Sequence, residues 1–348
     1  MLINQATSEN DKDLPKLSVV IVGRDGIASL RPILLCLAGQ TIAKDIELIA
    51  VLPQDRCRPE TLSPWETSFR GTRAVSVATI GNRGRAAASG VWVTTAPIIA
   101  FTENHCFPDP DWAEALVRAH DGSHAGVAPV VLNANPESLL GWAIYSSGYA
   151  EFSDRAEPQE IPEMPLHNTS YCRNPLAALG NELEELLSHE SRLQQRLRDN
   201  GHKFFLTPAA KTRHINEATW KLVLGLNYCN GRRYGGHRAL GWGWSRRIAY
   251  AALFPFLSVN VARKALQRLD NCGSDRPPMS AGLLLAIWLQ SLAHAAGEAV
   301  GYLRGPRDEF DFVDKEEFMI LERLAGARLT DPRIADFVSH AVTLEDRT

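Results

Sequence analysis

Three polar residues, Glu103, Asn104 and His105, follow the apolar run Ile98-Ile99-Ala100-Phe101 and Thr102. A run rich in β-branched and aromatic residues predicts a buried strand, and open α/β sheets place their chemistry at the carboxyl ends of such strands. A carboxylate, a carboxamide and an imidazole in succession are potential ligands for a cation or a polar substrate. A second carboxylate stands out further along. Leu183, Leu186, Leu187, Leu193 and Leu197 draw an apolar stripe along a helix predicted over 182–200, and Glu190 falls near its centre. A carboxylate facing the interior has two readings. Without a cation its pKa rises toward the range of a general base; with one, Arg85 or Arg213, it is a structural salt bridge.

The elements that must carry these groups are legible from hydrophobic patterning. Leu17 to Gly23 and Ile46 to Leu52 are apolar runs of the kind a parallel strand covered on both faces requires. Ile27 to Ala38 has helical spacing between them, a short strand is predicted over 74–80, a helix follows Gly84, and the fourth strand covers Pro97 to Phe101. The alternation predicts an α/β fold with a mostly parallel, doubly wound sheet and helices on both faces. Asp111 with Glu114 predicts a capping box for the next helix, Ala125 to Leu132 a strand, and Ser153 to Pro165 an exposed loop. A short strand over Lys203 to Leu206 ends before Pro208. Asn82-Arg83-Gly84-Arg85-Ala86-Ala87-Ala88 opens a helix whose small residues permit close packing and whose N-terminus, with Arg85, suits a phosphate. An ordinary helix entrance is the other reading of that stretch.

Four segments, in order, resemble those of family 2 glycosyltransferases of the GT-A fold, across roughly residues 17–247. The stretch Asn82 to Ala88 resembles the family's Asn-x-Gly-x-x-x-Ala segment. Residues 98–112, ending Pro110-Asp111-Trp112, resemble its metal-binding strand and the helix that follows. His189-Glu190-Ser191-Arg192-Leu193-Gln194-Gln195-Arg196 resembles the segment that carries the catalytic base. Pro208 to His214 resembles the closing segment. The resemblance implies an inverting hexosyltransferase that moves a sugar from a UDP- or GDP-linked donor to an acceptor hydroxyl. The basic C-terminal region between Ala218 and Leu269 suggests a glycan or lipid-linked acceptor, as in polysaccharide or glycolipid assembly. The resemblance places Glu190 as the base that deprotonates the acceptor. It places Arg85, Glu103, Asn104, Asp55 and His214 at the donor, with Asp55 or Gln54 standing in for the aspartate that usually reads the nucleotide base. Asn168, in the segment Met164 to Arg173, and Trp112 are placed at the acceptor.

The departure from the family lies in the metal segment, where Glu103-Asn104-His105 replaces aspartates. Mg²⁺ prefers hard oxygen ligands and Mn²⁺ tolerates imidazole, so a site using Glu103 and His105 is expected to favour Mn²⁺. Metal-free catalysis is the competing expectation, with His105, Arg85 and His214 supplying the positive charge. Loss of the aspartates also fits a non-catalytic relative that binds a nucleotide, a glycan or a protein partner. A nucleotidyltransferase would want a Gly-rich loop with Lys or Arg after the first strand, and Gly23-Arg24-Asp25-Gly26 is a weak version of one.

The chain has 348 residues and an apolar fraction of 45%, enough for a large core. Six scattered cysteines with no Cys-x-x-Cys pair argue against a zinc knuckle or a disulfide framework. The opening residues are polar and lack a secretory signal, so a cytoplasmic protein is expected. Net charge is −3, yet between Ala218 and Leu269 there is no Asp or Glu and nine Lys or Arg. Tyr234, Trp242 and Trp244 lie among these cations, and the apolar runs Ile248 to Val261 and Ala281 to Leu303 follow. The first run is too short to span a bilayer and the second is interrupted by Gln290, His294 and Glu298, so helices on an anionic membrane surface at the inner face are expected rather than spanning ones. A basic solvated face is the alternative, and no nucleic-acid partner is expected. The divisions read from composition are a flexible N-terminus over 1–15, a glycosyltransferase domain over 16–215, a basic and apolar helical region over 216–305, and an acidic tail over 306–348. That tail includes a helix predicted over 315–324.

Overall fold

The structure, a computed structural model, describes residues 14–307 apart from 59, 155–156, 217 and 274–275, together with 332 and 335. The helix predicted over 315–324, nearly all of the acidic tail and most of the N-terminal segment lie outside the described residues.

The chain alternates strands and helices through its first half. β1 (Leu17–Val22), α1 (Arg31–Ala38), β2 (Ile46–Pro53), β3 (Gly71–Val77), α2 (Arg83–Val91) and β4 (Ile98–Thr102) come first. β5 (Cys106–Pro108), α3 (Trp112–Ala119), β6 (Gly126–Asn133), α4 (Leu139–Gly148), β7 (Gln159–Ile161) and β8 (Ser170–Cys172) follow. Then come α5 (Arg173–Ala177), α6 (Leu183–Leu187), α7 (Glu190–Asp199) and β9 (Phe204–His214). Four helices close the described chain: α8 (Trp220–Arg238), α9 (Trp244–Ala252), α10 (Phe254–Asp270) and α11 (Ala281–Arg304).

The result is an α/β fold with a nine-stranded sheet in the order β3-β2-β1-β4-β8-β6-β9-β5, with β7 on β9. β1 pairs in parallel with both β2 and β4, and β2 with β3, which fits the fully buried strands Leu17–Val22 and Ile46–Pro53. The other end corrects the expectation of a mostly parallel sheet. β8 runs antiparallel to β4 and to β6, and β7 antiparallel to β9. β8 is only three residues long, too short a run for hydrophobic patterning to show its place or direction in the sheet.

Three other expectations change. Asp111 makes no side-chain cap; Glu114 instead accepts from Thr41 Oγ1 at 2.9 Å. β9 does not stop before Pro208 but continues to His214. The helix predicted over 182–200 is two helices. Ser188 Oγ donates to the Glu185 carbonyl and bonds His189 Nδ1, and His189 leaves helical geometry at φ −137°, ψ 71°. Glu190 therefore opens α7 instead of sitting in mid-helix, and it is buried there.

The chain divides into two compact units. The first comprises the segments ending at Asn104 and spanning Pro108–Ala128 and Gln159–Ala210. Glycines set a critical approach in it. A Cβ on Gly84 would lie 2.0 Å from the Leu187 carbonyl oxygen, so only glycine lets the first turn of α2 rest on the end of α6. A Cβ on Gly90 would lie 2.7 Å from Val20 Cγ1, so the same helix also lies close on the sheet.

The second unit comprises the described residues within His105–Phe107, Pro129–Pro158 and the chain from Lys211 onward. Its core joins Trp142 and Tyr145 of α4, Leu269 of α10, and Leu283 and Ile287 of α11. α8 and α11 meet backbone to backbone: a Cβ on Gly231 would lie 2.0 Å from the His294 carbonyl, and one on Gly297 2.0 Å from that of Tyr228. The polar residues of α11 face inward. Gln290 Nε2 donates to the Ala143 carbonyl at 2.7 Å, and Glu298 accepts from Tyr302 and pairs with Arg238. α11 is the one helix among the described residues long and apolar enough to cross a membrane, by length and composition only, and 44% of its most apolar window is buried in the protein.

Candidate functional site

The first unit assembles a chain of polar groups from four sequence-distant segments. Glu103 follows β4 directly and is buried, which obliges its charge to be paired. Its partner is Arg83, the first residue of α2, which forms a buried salt bridge with Oε1. Its other oxygen, Oε2, accepts from Asn168 Nδ2 at 2.6 Å. Charge-assisted bonds of this kind are the stronger class.

The segment carrying Asn168 is fixed at both ends. The Phe101 amide donates to the Thr169 carbonyl at 2.9 Å, which places Asn168 beside the end of β4. Met164 exchanges two backbone bonds with the Gln194 carboxamide of α7, at 2.9 and 3.2 Å. Between these anchors, His167 turns both its amide and its imidazole onto Glu190: the amide donates to Oε2 at 2.7 Å, and Nδ1 lies 2.6 Å from Oε1. His167 adopts φ +67°, the one positive φ outside glycine among the described residues. The salt bridge from Glu190 to Arg85 or Arg213 is thus replaced by a pair with His167. Behind it lies the fully buried Tyr171, whose hydroxyl pKa is pushed well up by burial and then by the Glu190 charge.

His105 and His214 lie in the second unit. The Ile215 amide donates to the His105 carbonyl at 3.1 Å, and the two imidazoles meet edge to face with centroids 4.6 Å apart. The Tyr149 ring lies 4.6 Å from that of His214. Asn216 sets the tautomer. Its Nδ2 donates to Asn133 Oδ1 at 2.9 Å and to the His214 carbonyl at 3.0 Å, so its Oδ1 is the acceptor that faces His214 Nδ1 at 3.0 Å. Nδ1 carries the proton and Nε2 the lone pair, the arrangement a metal-ligating histidine uses. Glu103, His105 and His214 each offer a ligand atom, and these atoms lie within 4.8 Å of one another, all three residues being buried. One carboxylate and two imidazoles form a ligand set for a divalent cation.

The other expected site residues lie as follows. Asn104 is buried between Glu103 and His105. Arg85 is exposed, and its amide is capped by Asn82 Oδ1 at 2.8 Å. Asp55 sits exposed in the turn after β2, 3.9 Å from Arg56. Trp112 opens α3 with its ring in the core. Three residues that sequence reasoning missed complete the geometry: Arg83, His167 and Asn216.

No family model matches the sequence, and no curated protein matches it. Two of the solved structures that are similar hold a nucleotide or nucleotide-sugar together with Mn²⁺. The crystal structure of GalNAc-T7 with UDP, GalNAc and Mn²⁺ has 16% identity and a TM-score of 0.43, over 59% of this chain and 44% of that one. The present chain thus spans less than half of that protein. The mannosyltransferase PcManGT from Pyrobaculum calidifontis, in complex with GDP-Man and Mn²⁺, has 13% identity and a TM-score of 0.46, over 96% of this chain and 88% of that one. Likeness of this degree carries no argument about activity, which rests on the side chains themselves.

The Arg83 and Glu103 pair gives a direct test. Arg83→Met is expected to destabilise the protein by about 3–5 kcal/mol, because it removes the guanidinium that forms the buried salt bridge with Glu103. Adding Glu103→Gln is expected to recover part of the loss, and urea unfolding of the two single variants and the double variant measures the coupling. Additive losses would show that the two charges do not depend on each other.

Proposed function

We propose that the protein transfers a sugar from a UDP- or GDP-linked donor to a hydroxyl of a glycan or lipid-linked acceptor, with inversion at the anomeric carbon. The observation that carries this reading is the polar chain Arg83, Glu103, Asn168, His167, Glu190, which begins at the carboxyl end of β4. It sets a carboxylate with metal-ligating capacity at one end and a carboxylate and imidazole pair able to take a proton at the other. Those are the two demands of a single displacement on a nucleotide-sugar: stabilising a departing diphosphate and deprotonating an attacking hydroxyl.

In this reading Glu103, His105 and His214 hold a divalent cation, which supplies positive charge to the leaving diphosphate when bound. Two imidazoles favour Mn²⁺ over Mg²⁺. Asn104, Arg85 and Asp55 are assigned to the donor. Asn168 is assigned to the acceptor side and orients Glu103 as well, whereas the buried ring of Trp112 is withdrawn from the acceptor and supports α3. Arg83 against Glu103 favours a second reading of the charge, in which fixed cationic side chains serve the diphosphate without a metal. Calorimetric titration of UDP and GDP separates the two. Binding is expected to be tightest with Mn²⁺, weaker with Mg²⁺ and weakest in EDTA. Equal affinity in EDTA would establish the metal-free reading, and no binding of either nucleotide would sink the donor assignment.

The domain reading proposed is a glycosyltransferase domain over 16–215 with a helical region over 216–305 that rests on an anionic membrane, at its cytoplasmic face. Supporting it, Trp244, Ile248, Phe256 and Val259 of α9 and α10 are each more than half exposed, at 66%, 57%, 74% and 62%. Arg246 lies among them, with its guanidinium 3.9 Å from the centroid of the Trp242 ring. Exposed aromatic and aliphatic side chains beside cations suit an interfacial helix. Trp244→Ser combined with Phe256→Ser is expected to weaken co-flotation with phosphatidylglycerol vesicles; undiminished flotation would remove this surface from the account.

A further inference from the structure

The Glu190 carboxylate is committed on both oxygens to one residue. Oε1 faces His167 Nδ1 at 2.6 Å and Oε2 accepts the His167 amide at 2.7 Å. The Glu190 side chain is 7% exposed, whereas that of His167 is 29% exposed. An acceptor hydroxyl therefore reaches the imidazole before it reaches the carboxylate. The left-handed backbone at His167 makes this possible, since it turns the amide and the ring to the same partner. Conformations of this kind are uncommon in a non-glycine residue and persist where the surroundings hold them. Here Met164 is tied to Gln194 on one side, and Asn168 is bound to Glu103 on the other.

We propose that His167 is the catalytic base and that Glu190 is its positioning carboxylate. The inference rests on the glycosyl-transfer reading and deepens it. With Nδ1–H donated to Glu190, neutral His167 carries its lone pair on Nε2. The acceptor O–H bond breaks and its proton passes to Nε2. The oxygen's electron pair forms the bond to the anomeric carbon, and the pair of the carbon–oxygen bond to the diphosphate leaves with the nucleotide. The imidazolium so formed is neutralised by the Glu190 carboxylate beside it. Asn168, the next residue, fixes the distance between this base and the Glu103 end of the site.

The backbone conformation offers a clean variant. His167→Gly keeps the left-handed φ and the amide that donates to Glu190, and removes only the imidazole. His167→Asn, which also tolerates that backbone, is the second variant should glycine disturb the segment. The measurement is nucleotide diphosphate release from a panel of UDP- and GDP-hexoses, with water or added sugars as acceptor, alongside calorimetric binding of UDP and GDP. Loss of a general base is expected to lower release by about 100-fold or more, with nucleotide affinity unchanged. Added imidazole is expected to restore release to His167→Gly but not to Glu190→Gln. Unchanged release in both His167 variants, or rescue of Glu190→Gln by imidazole with none of His167→Gly, would overturn the assignment. Absence of release from the wild-type protein on every donor would overturn the glycosyl-transfer reading, and the assignment with it.

Discussion

A buried carboxylate at the end of a strand dictates much of this protein. Glu103 leaves β4 with its side chain out of solvent, and a carboxylate so placed must find cations and donors or lose its charge. Arg83 and Asn168 meet that demand from one element before it and one long after it in sequence. Each brings a constraint of its own. Arg83 reaches Glu103 from the first turn of α2, and that turn rests on α6 through Gly84, where no larger residue fits. Asn168 reaches it because its segment is pinned to β4 and to α7, and the same pinning sets His167 on Glu190. The two ends of the proposed reaction are therefore coupled by packing in a single unit.

Much of the frame was legible in the sequence, for physical reasons that particular residues illustrate. β1, β2 and β4 are runs of mainly apolar residues, the signature that a strand buried on both faces leaves in a sequence. Glu190 was recognisable as buried because leucines flank it at helical spacing. The helix break before it was not, since Ser188 and His189 end α6 through side-chain bonds that helical periodicity does not register. The antiparallel half of the sheet was hidden because β7 and β8 are each three residues long. His105 and Glu103 drew attention by type and position.

The residues that sequence reading missed are those that act through others. Arg83 and Arg85 differ by two positions, which puts them on different sides of a helix, and nothing in their types says which one turns inward. Asn216 is an ordinary asparagine until its amide is seen donating to Asn133 and its oxygen facing His214. His167 lies in the segment Met164 to Arg173, where only Asn168 stood out by type; its own importance lies in a backbone angle. Supporting residues are chosen by three-dimensional partners, so a single chain of letters shows them poorly.

Two neutral imidazoles beside a carboxylate limit what the site can hold, because neither adds negative charge while Arg83 already neutralises Glu103. The set Glu103, His105 and His214 suits a cation that accepts nitrogen. Electron paramagnetic resonance of Mn²⁺ added with UDP or GDP tests this most directly. The account expects a bound Mn²⁺ signal with nitrogen couplings from two imidazoles, one of which disappears in His105→Gln and the other in His214→Gln. A signal of solvated Mn²⁺ alone, or a bound signal without nitrogen coupling that both variants leave unaltered, would contradict it.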